Sequence, residues 1–207
     1  MTIDADVMSI RQHHYQRIKT LLKCDEFDMY LFGSQVYGTA LYDSDWDYYV
    51  IGLGFEVDQE IRNGDLNFHV MNPDHYQALL DRHHVGAVEI FFANNTPFEF
   101  SVDKSKLRSE FSKTASNSWV KAKKKLTVEP EEFRPIGLKS LWHSLRILQF
   151  GIQLAESNQI VDFSEANKYF EDIVHSNLDW DQLKERYQPV YNSLASEFRK
   201  VAPKDDT

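Results

Sequence analysis

The sequence predicts an α+β protein: a small mixed β-sheet core with flanking helices over residues 1–105, followed by a helical region over 106–207. Three observations carry this reading. Short apolar and aromatic runs that stop at glycine or at an Asn-Pro pair, as buried strands do, are confined to the first half. Apolar residues at helical spacing fill the second half, where the strand signals cease. The apolar fraction of 42% and charged fraction of 27% are those of a chain that buries a core, and fourteen Phe, ten Tyr and four Trp supply much of it.

The elements follow in order. Val7, Ile10, Tyr15, Ile18 and Leu22 recur at helical spacing from about Ala5, with Asp4 available as a cap. The run 27–32 (FDMYLF) predicts a strand ending at Gly33, and 45–53 (DWDYYVIGL) a second strand. In 65–71 (DLNFHVM), Leu66, Phe68 and Val70 share one face of a third strand, with Asp65, Asn67 and His69 on the other. Asn72-Pro73-Asp74 starts a helix through HYQALLDRHH, and 88–92 is an apolar run of undecided type. Helices are expected at 107–126, 136–157, 164–176 and 179–200, with Pro130 and Pro135 bracketing the break between the first two. In the second of these helices Leu141, Leu145, Leu148 and Ile152 form the expected buried face.

A formal charge of −9 opposes strong nonspecific binding to nucleic acid, although Lys121, Lys123, Lys124 and Lys125 make a local basic run. Cys24 stands alone and cannot form an intrachain disulfide, which fits a reducing compartment. MTIDADVMSI has neither a basic nor an apolar leader pattern, and no apolar run reaches membrane-spanning length. The expectation is a cytoplasmic protein with no membrane partner. His13-His14 and His83-His84 read as surface pairs, because neither has metal-ligand partners at useful spacing.

Chemistry concentrates in LFGSQVYGTALYDSDWDYYVIG, which begins at Leu31. A strand leads into Gly33-Ser34, ten residues follow, and Asp45-Trp46-Asp47 opens the next strand. Gly33 permits a tight turn with backbone close to a ligand, and Ser34 adds a hydroxyl. Alternation puts Asp45 and Asp47 on one face and Trp46 on the other, and two adjacent carboxylates call for a cation between them. Mg²⁺ suits carboxylates combined with substrate phosphates. Thr39, Asp43 and Ser44 read as capping and turn residues of the intervening loop.

This segment resembles the signature of the DNA polymerase beta superfamily of nucleotidyltransferases, and its G-S-x10-D-x-D spacing resembles the minimal nucleotidyltransferases in particular. HYQALLDRHHVGAVEIFFA and GLKSLWHSLRILQFGIQLAESNQI are similar to segments of predicted bacterial and phage nucleotidyltransferases, including those linked to RNA repair. The resemblance implies that Gly33 and Ser34 hold a nucleoside triphosphate. It also implies that Asp45, Asp47 and a third carboxylate on the following strand bind two divalent ions, Mg²⁺ or Mn²⁺. Asp65 is the acid available for that third place, while Asn67 is the alternative position and would lack the ligand. Lys139, His143 and Arg146 lie at i, i+4 and i+7 on one helix, and the resemblance gives them a phosphate-contacting role. Glu89 follows a helix into an apolar run, where a structural role is preferred over orienting a basic neighbour.

The implied activity is transfer of a nucleoside monophosphate from an NTP to a hydroxyl or phosphate acceptor, with release of pyrophosphate. An RNA or tRNA end is favoured slightly over a protein side chain. The alternative is a noncatalytic relative acting as a nucleotide-binding or protein-interaction module, of the antitoxin or phage-inhibitor kind, with Asn67 as its mark.

Overall fold

The computed structural model describes residues 5–55 and 58–203. In chain order it runs α1 (Ala5–Leu22), β1 (Asp28–Phe32), a short α2 (Ser34–Tyr37), β2 (Trp46–Ile51), β3 (Gln59–Asn63) and β4 (Leu66–Met71), then α3 (Pro73–Asp81) and α4 (Val85–Ala93). The helical region comprises α5 (Lys104–Thr127), α6 (Arg134–Ser157), α7 (Phe170–Val174) and α8 (Trp180–Val201), with 3₁₀ turns at Glu131–Phe133 and Glu165–Tyr169. This is the α+β architecture expected, a small mixed sheet followed by helices. No helix among the described residues is long and apolar enough to cross a membrane.

The strands lie in the order β1-β2-β4-β3. β1 pairs antiparallel with β2, β2 parallel with β4, and β4 antiparallel with β3. Alternation then sorts the side chains into two layers. Tyr48 and Val50 of β2 join Leu66, Phe68 and Val70 of β4 against Ile18 of α1. Tyr49, Ile51 and Met71 point the other way, into a core shared with Leu80 of α3, Ile90 of α4, Leu145 of α6 and Phe198 of α8. Sheet and helical region are therefore held by one continuous apolar cluster.

Each local start has a chemical cause. The Asn72 side chain accepts from the His75 amide and Pro73 occupies the first turn of α3. Asp103 accepts from Ser105 and Lys106 to begin α5. Asp179 and Gln182 close a capping box on α8.

Three elements go beyond what the sequence pattern resolved. β3 reads QEIRN, and its exposed, charged edge position hides the alternation that marks buried strands. The apolar run at 88–92 is helical, because α4 is buried nearly all round and shows no amphipathic period. The stretch 164–176 divides into a 3₁₀ turn and the short α7.

Core packing is tight where α6 crosses α8. A methyl group placed on Gly151 would lie 2.7 Å from Cζ of the fully buried Phe198. Gly→Ala gains about 1 kcal/mol of helix propensity, whereas overpacking a rigid core costs about 1–3 kcal/mol. Since Phe198 has no free volume to move into, the second effect wins. Gly151→Ala is expected to lower the denaturation midpoint in a denaturant titration.

Candidate functional site

The site begins at the end of β1. Gly33 has φ 78° and ψ −154°, a conformation that side chains other than glycine's rarely tolerate. Its carbonyl accepts from the amides of Val36 and Tyr37, turning the chain into α2. The register of β1 and β2 sets Phe32 opposite Asp47. A Cβ at Gly33 would consequently lie only 2.4 Å from Asp47 Oδ2. Glycine is required twice here, for its backbone angle and for the space the carboxylate fills. Gly33→Ala is expected to displace the Asp47 carboxylate, at a stability cost of about 1–3 kcal/mol that a melting curve checks.

Gly38, at φ 73°, ends α2 in the left-handed region. The loop then tightens into a turn in which Ser44 N donates to Leu41 O and Leu41 N donates to Ser44 Oγ. That turn delivers the chain to Asp45. Asp45 and Asp47 both line a cleft of about 650 Å³, together with Gly33, Ser34, Thr39, Asp43, Arg62 and Asn67. Trp46 goes to the opposite layer, its ring 5.1 Å from that of His14.

Asp47 sits beside Asn67, in register across the parallel β2–β4 pair, and Asn67 Nδ2 donates to Asp47 Oδ1 at 3.0 Å. Burial raises the Asp47 carboxyl above the ordinary range, the Asn67 hydrogen bond opposes that rise, and the Asp45 charge adds to it. An anion held in this way is poised to take a cation.

Asp65 does not enter the cleft. It precedes β4 in the turn made by Gly64 at φ 62°, so strand alternation does not govern its direction. Its Oδ1 accepts from Arg17 Nη1 at 2.7 Å, and its Oδ2 lies 3.8 Å from His14 Nε2, on the α1 side of the sheet. Of the two positions considered for a third ligand, Asn67 and not Asp65 lies beside Asp47. Asp65 instead ties α1 to the sheet, and the Arg17 hydrogen bond holds its carboxyl below the usual range.

Lys139, His143 and Arg146 of α6 share one helix face, as their spacing implied, and that face lines the cleft, but the three are in different states. Lys139 is exposed. Burial, with help from Arg146, Lys121 and Lys139, holds the His143 imidazole well below its ordinary pKa, so the ring is neutral near pH 7. Arg146 is 4% exposed and committed: its Nη1 donates to Glu89 Oε1 at 2.6 Å and its Nε to His143 Nδ1 at 3.2 Å. Tyr37 OH donates to the other Glu89 oxygen, and the Arg146 guanidinium lies 3.9 Å from the Tyr37 ring centroid. Arg146 is thus occupied with holding the floor of the cleft rather than free to grip phosphate. Glu89 does orient a basic neighbour. Its partner could have been suspected, since Glu89 and Arg146 are each embedded in apolar runs where an unpaired charge would be costly.

The basic run on α5 is only partly free. Lys124 and Lys125 pair with Glu129, at 3.2 and 2.6 Å. The two histidine pairs are likewise not wholly superficial: His14 is 3% and His83 2% exposed. His14 Nδ1 meets Tyr48 OH at 2.9 Å, and His83 Nε2 accepts from the Asp103 amide. His83 lies in a second cavity of about 820 Å³, where these bonds and the Asp103 cap join α3 to α5. Its polar groups serve the fold.

Among the described residues no cluster of three or more His, Cys, Asp or Glu side chains forms a metal centre. Two carboxylates and an amide nevertheless suit a hard cation. Asn67 Oδ1 is buried and has no hydrogen-bond partner, and amide oxygens join carboxylates as ligands of Mg²⁺ and Ca²⁺. Asp45, Asp47 and Asn67 would hold one ion. Comparison with known proteins finds no matching family model and no matching curated sequence.

Proposed function

We propose that the chain binds a nucleoside triphosphate with a divalent cation in this cleft and transfers its nucleoside monophosphate to a hydroxyl or phosphate acceptor. The observation that carries this reading is the meeting of Asp45 and Asp47 in one cleft beside the Gly33-Ser34 turn. A bound Mg²⁺ or Mn²⁺ would supply charge neutralisation and polarisation of the phosphate.

The chain's own residues bind and orient. Gly33 keeps the backbone low so that the triphosphate can approach Asp47, and Ser34 offers a hydroxyl donor. Lys139 supplies positive charge on the facing wall. The Glu89–Arg146–Tyr37 cluster fixes α2, α4 and α6 relative to one another, so the two walls keep their separation. In the reaction the acceptor oxygen bonds to the α-phosphorus while the α–β phosphoanhydride bond breaks. The bonding pair leaves with pyrophosphate, and the acceptor proton passes to water. Catalysis here is alignment and electrostatics.

A second reading has its own observation. With Asn67 in place of a third carboxylate, the site has ligands for one ion, which fits a module that binds Mg²⁺–NTP without turning it over. Incubating the protein with each labelled NTP, Mg²⁺ or Mn²⁺, total RNA and lysate protein separates the readings. Label transferred to a macromolecule and dependent on Asp45 supports the enzyme. Nucleotide retained intact on the protein supports the binding module. Absence of nucleotide binding would overturn both.

A further inference from the structure

We infer that a second copy of this chain pairs with the free edge of β3, joining two four-stranded sheets into one across a two-fold axis at Ile61. The inference is independent of the nucleotide reading.

The two edges of the sheet differ. β1, at one end of the strand order, lies against α4, and Asn94 Nδ2 at the end of that helix donates to the Leu31 carbonyl at 2.9 Å. β3, at the other end, pairs only with β4, and four of its five residues are exposed. The hairpin sets its backbone direction. Only Gly64 and Asp65 separate Asn63 from Leu66, its partner in the register, so those two residues exchange the hydrogen bonds that close the loop. Counting back by twos, Ile61 and Gln59 also turn their amides and carbonyls toward β4, whereas Glu60 and Arg62 turn theirs away. Among the described residues no backbone group meets those outward groups.

Charge on an edge keeps other strands off when like meets like. Here the charges alternate in sign, and the strand is its own complement. Laid antiparallel on itself about Ile61, QEIRN sets Gln59 opposite Asn63, Glu60 opposite Arg62 and Ile61 opposite Ile61. The backbone requires the same register. It makes both Glu60–Arg62 cross pairs hydrogen-bonded pairs, which use every outward N–H and C=O of β3 in both copies. A foreign strand could satisfy the backbone, whereas the charge order specifies this one.

The side chains agree. Glu60 and Arg62 share the cleft face of the sheet, where Arg62 Nε and Nη2 both donate to Glu60 Oε1, at 3.0 and 2.8 Å. Pairing sets a second acid opposite each guanidinium, so that the four charges alternate around a square. On the other face the half-buried Ile61, packed into the α1 layer, meets its own copy. Leu21 of α1, 44% exposed, shares a groove on that side with Asn63, so the same edge also carries apolar surface. Because Arg62 lines the cleft, pairing brings Glu60 of the second copy to its rim.

The test uses the charge order. Glu60→Arg and Arg62→Glu change exposed side chains and leave the β3–β4 ladder in place, so both variants should fold, which melting curves check. Each gives the edge charge of one sign, which repels a like copy, while the two variants complement each other. Sedimentation velocity over a concentration series is run on the wild type, on each variant and on their equimolar mixture. The expected result is a reversible wild-type dimer, self-association at least about ten-fold weaker for either variant alone, and recovery in the mixture to near wild-type strength. A wild type that stays monomeric up to its solubility limit overturns the inference. So does a dimer that neither substitution weakens, or a mixture that associates no better than its components.

Discussion

Replacing Asp47 by alanine is expected to lower nucleotidyl transfer by orders of magnitude while leaving the melting temperature near its wild-type value. In the proposed site Asp47 is the carboxylate closest to the glycine turn, so its loss removes a ligand that no neighbouring side chain replaces. The effect on the fold is a balance. Losing the Asn67 hydrogen bond costs about 1 kcal/mol, and removing a buried charge that has no cation returns a similar amount. The sign with pH follows from the raised Asp47 pKa. Because the folded state holds the Asp47 proton more tightly than the unfolded state, the wild type loses stability as pH rises from the ordinary carboxylate range through the raised value. Alanine removes that dependence, so the variant gains on the wild type as pH rises and falls behind as pH drops. Melting curves across acidic and neutral pH, paired with single-turnover transfer, check both halves. A large fall in melting temperature at neutral pH would give Asp47 a structural role instead.

The largest effect on stability is expected at Arg146. Arg146→Met leaves Glu89, 3% exposed, without its charged partner and removes the guanidinium that lies over the Tyr37 ring. Breaking a buried pair from one side costs about 3–5 kcal/mol, well above the loss at any surface ion pair of this chain. Arg146→Lys should also be destabilising, since a single ammonium cannot reproduce the guanidinium's two bonds, Nη1 to Glu89 and Nε to His143. Adding Glu89→Gln to Arg146→Met is expected to recover part of the loss, because the stranded charge is gone. Denaturant unfolding of the two single variants and the double variant measures the coupling. If Arg146→Met unfolds at the wild-type midpoint, the cluster does not hold the cleft walls.

What the sequence made legible follows from periodicity and turn chemistry. β4 shows the alternation, with Leu66, Phe68 and Val70 against α1, whereas β2 reads as a continuous apolar run from Tyr48 to Ile51 because one of its faces meets α1 and the other the helical core. Gly33 and the Asp45/Asp47 spacing marked the cleft in the sequence. Where the pattern failed, a tertiary cause is visible. β3 lies at the sheet edge and is polar or charged everywhere except Ile61, so nothing in its composition distinguishes it from a loop. Asp65 shares a parity with Asn67, yet the Gly64 turn frees it from the pleat and Arg17 draws it behind the sheet. His14 reads as half of a surface pair until one notes that it stands one turn before Ile18, which α1 buries fully against the sheet. Arg146 shares a helix face with Lys139 and His143, as its spacing said, but spacing does not reveal that Glu89 waits beneath it.

The central claim is that the Asp45/Asp47 pair holds a divalent ion together with a nucleotide. Its most direct measurement is the calorimetric affinity for ATP with Mg²⁺ and with a chelator, for the wild type and for the Asp45→Asn/Asp47→Asn double variant. The account predicts that Mg²⁺ tightens binding to the wild type by at least about ten-fold, equivalent to about 1.4 kcal/mol, and has no such effect on the double variant. Equal affinity with and without Mg²⁺ in the wild type, or an undiminished Mg²⁺ effect in the double variant, would contradict it.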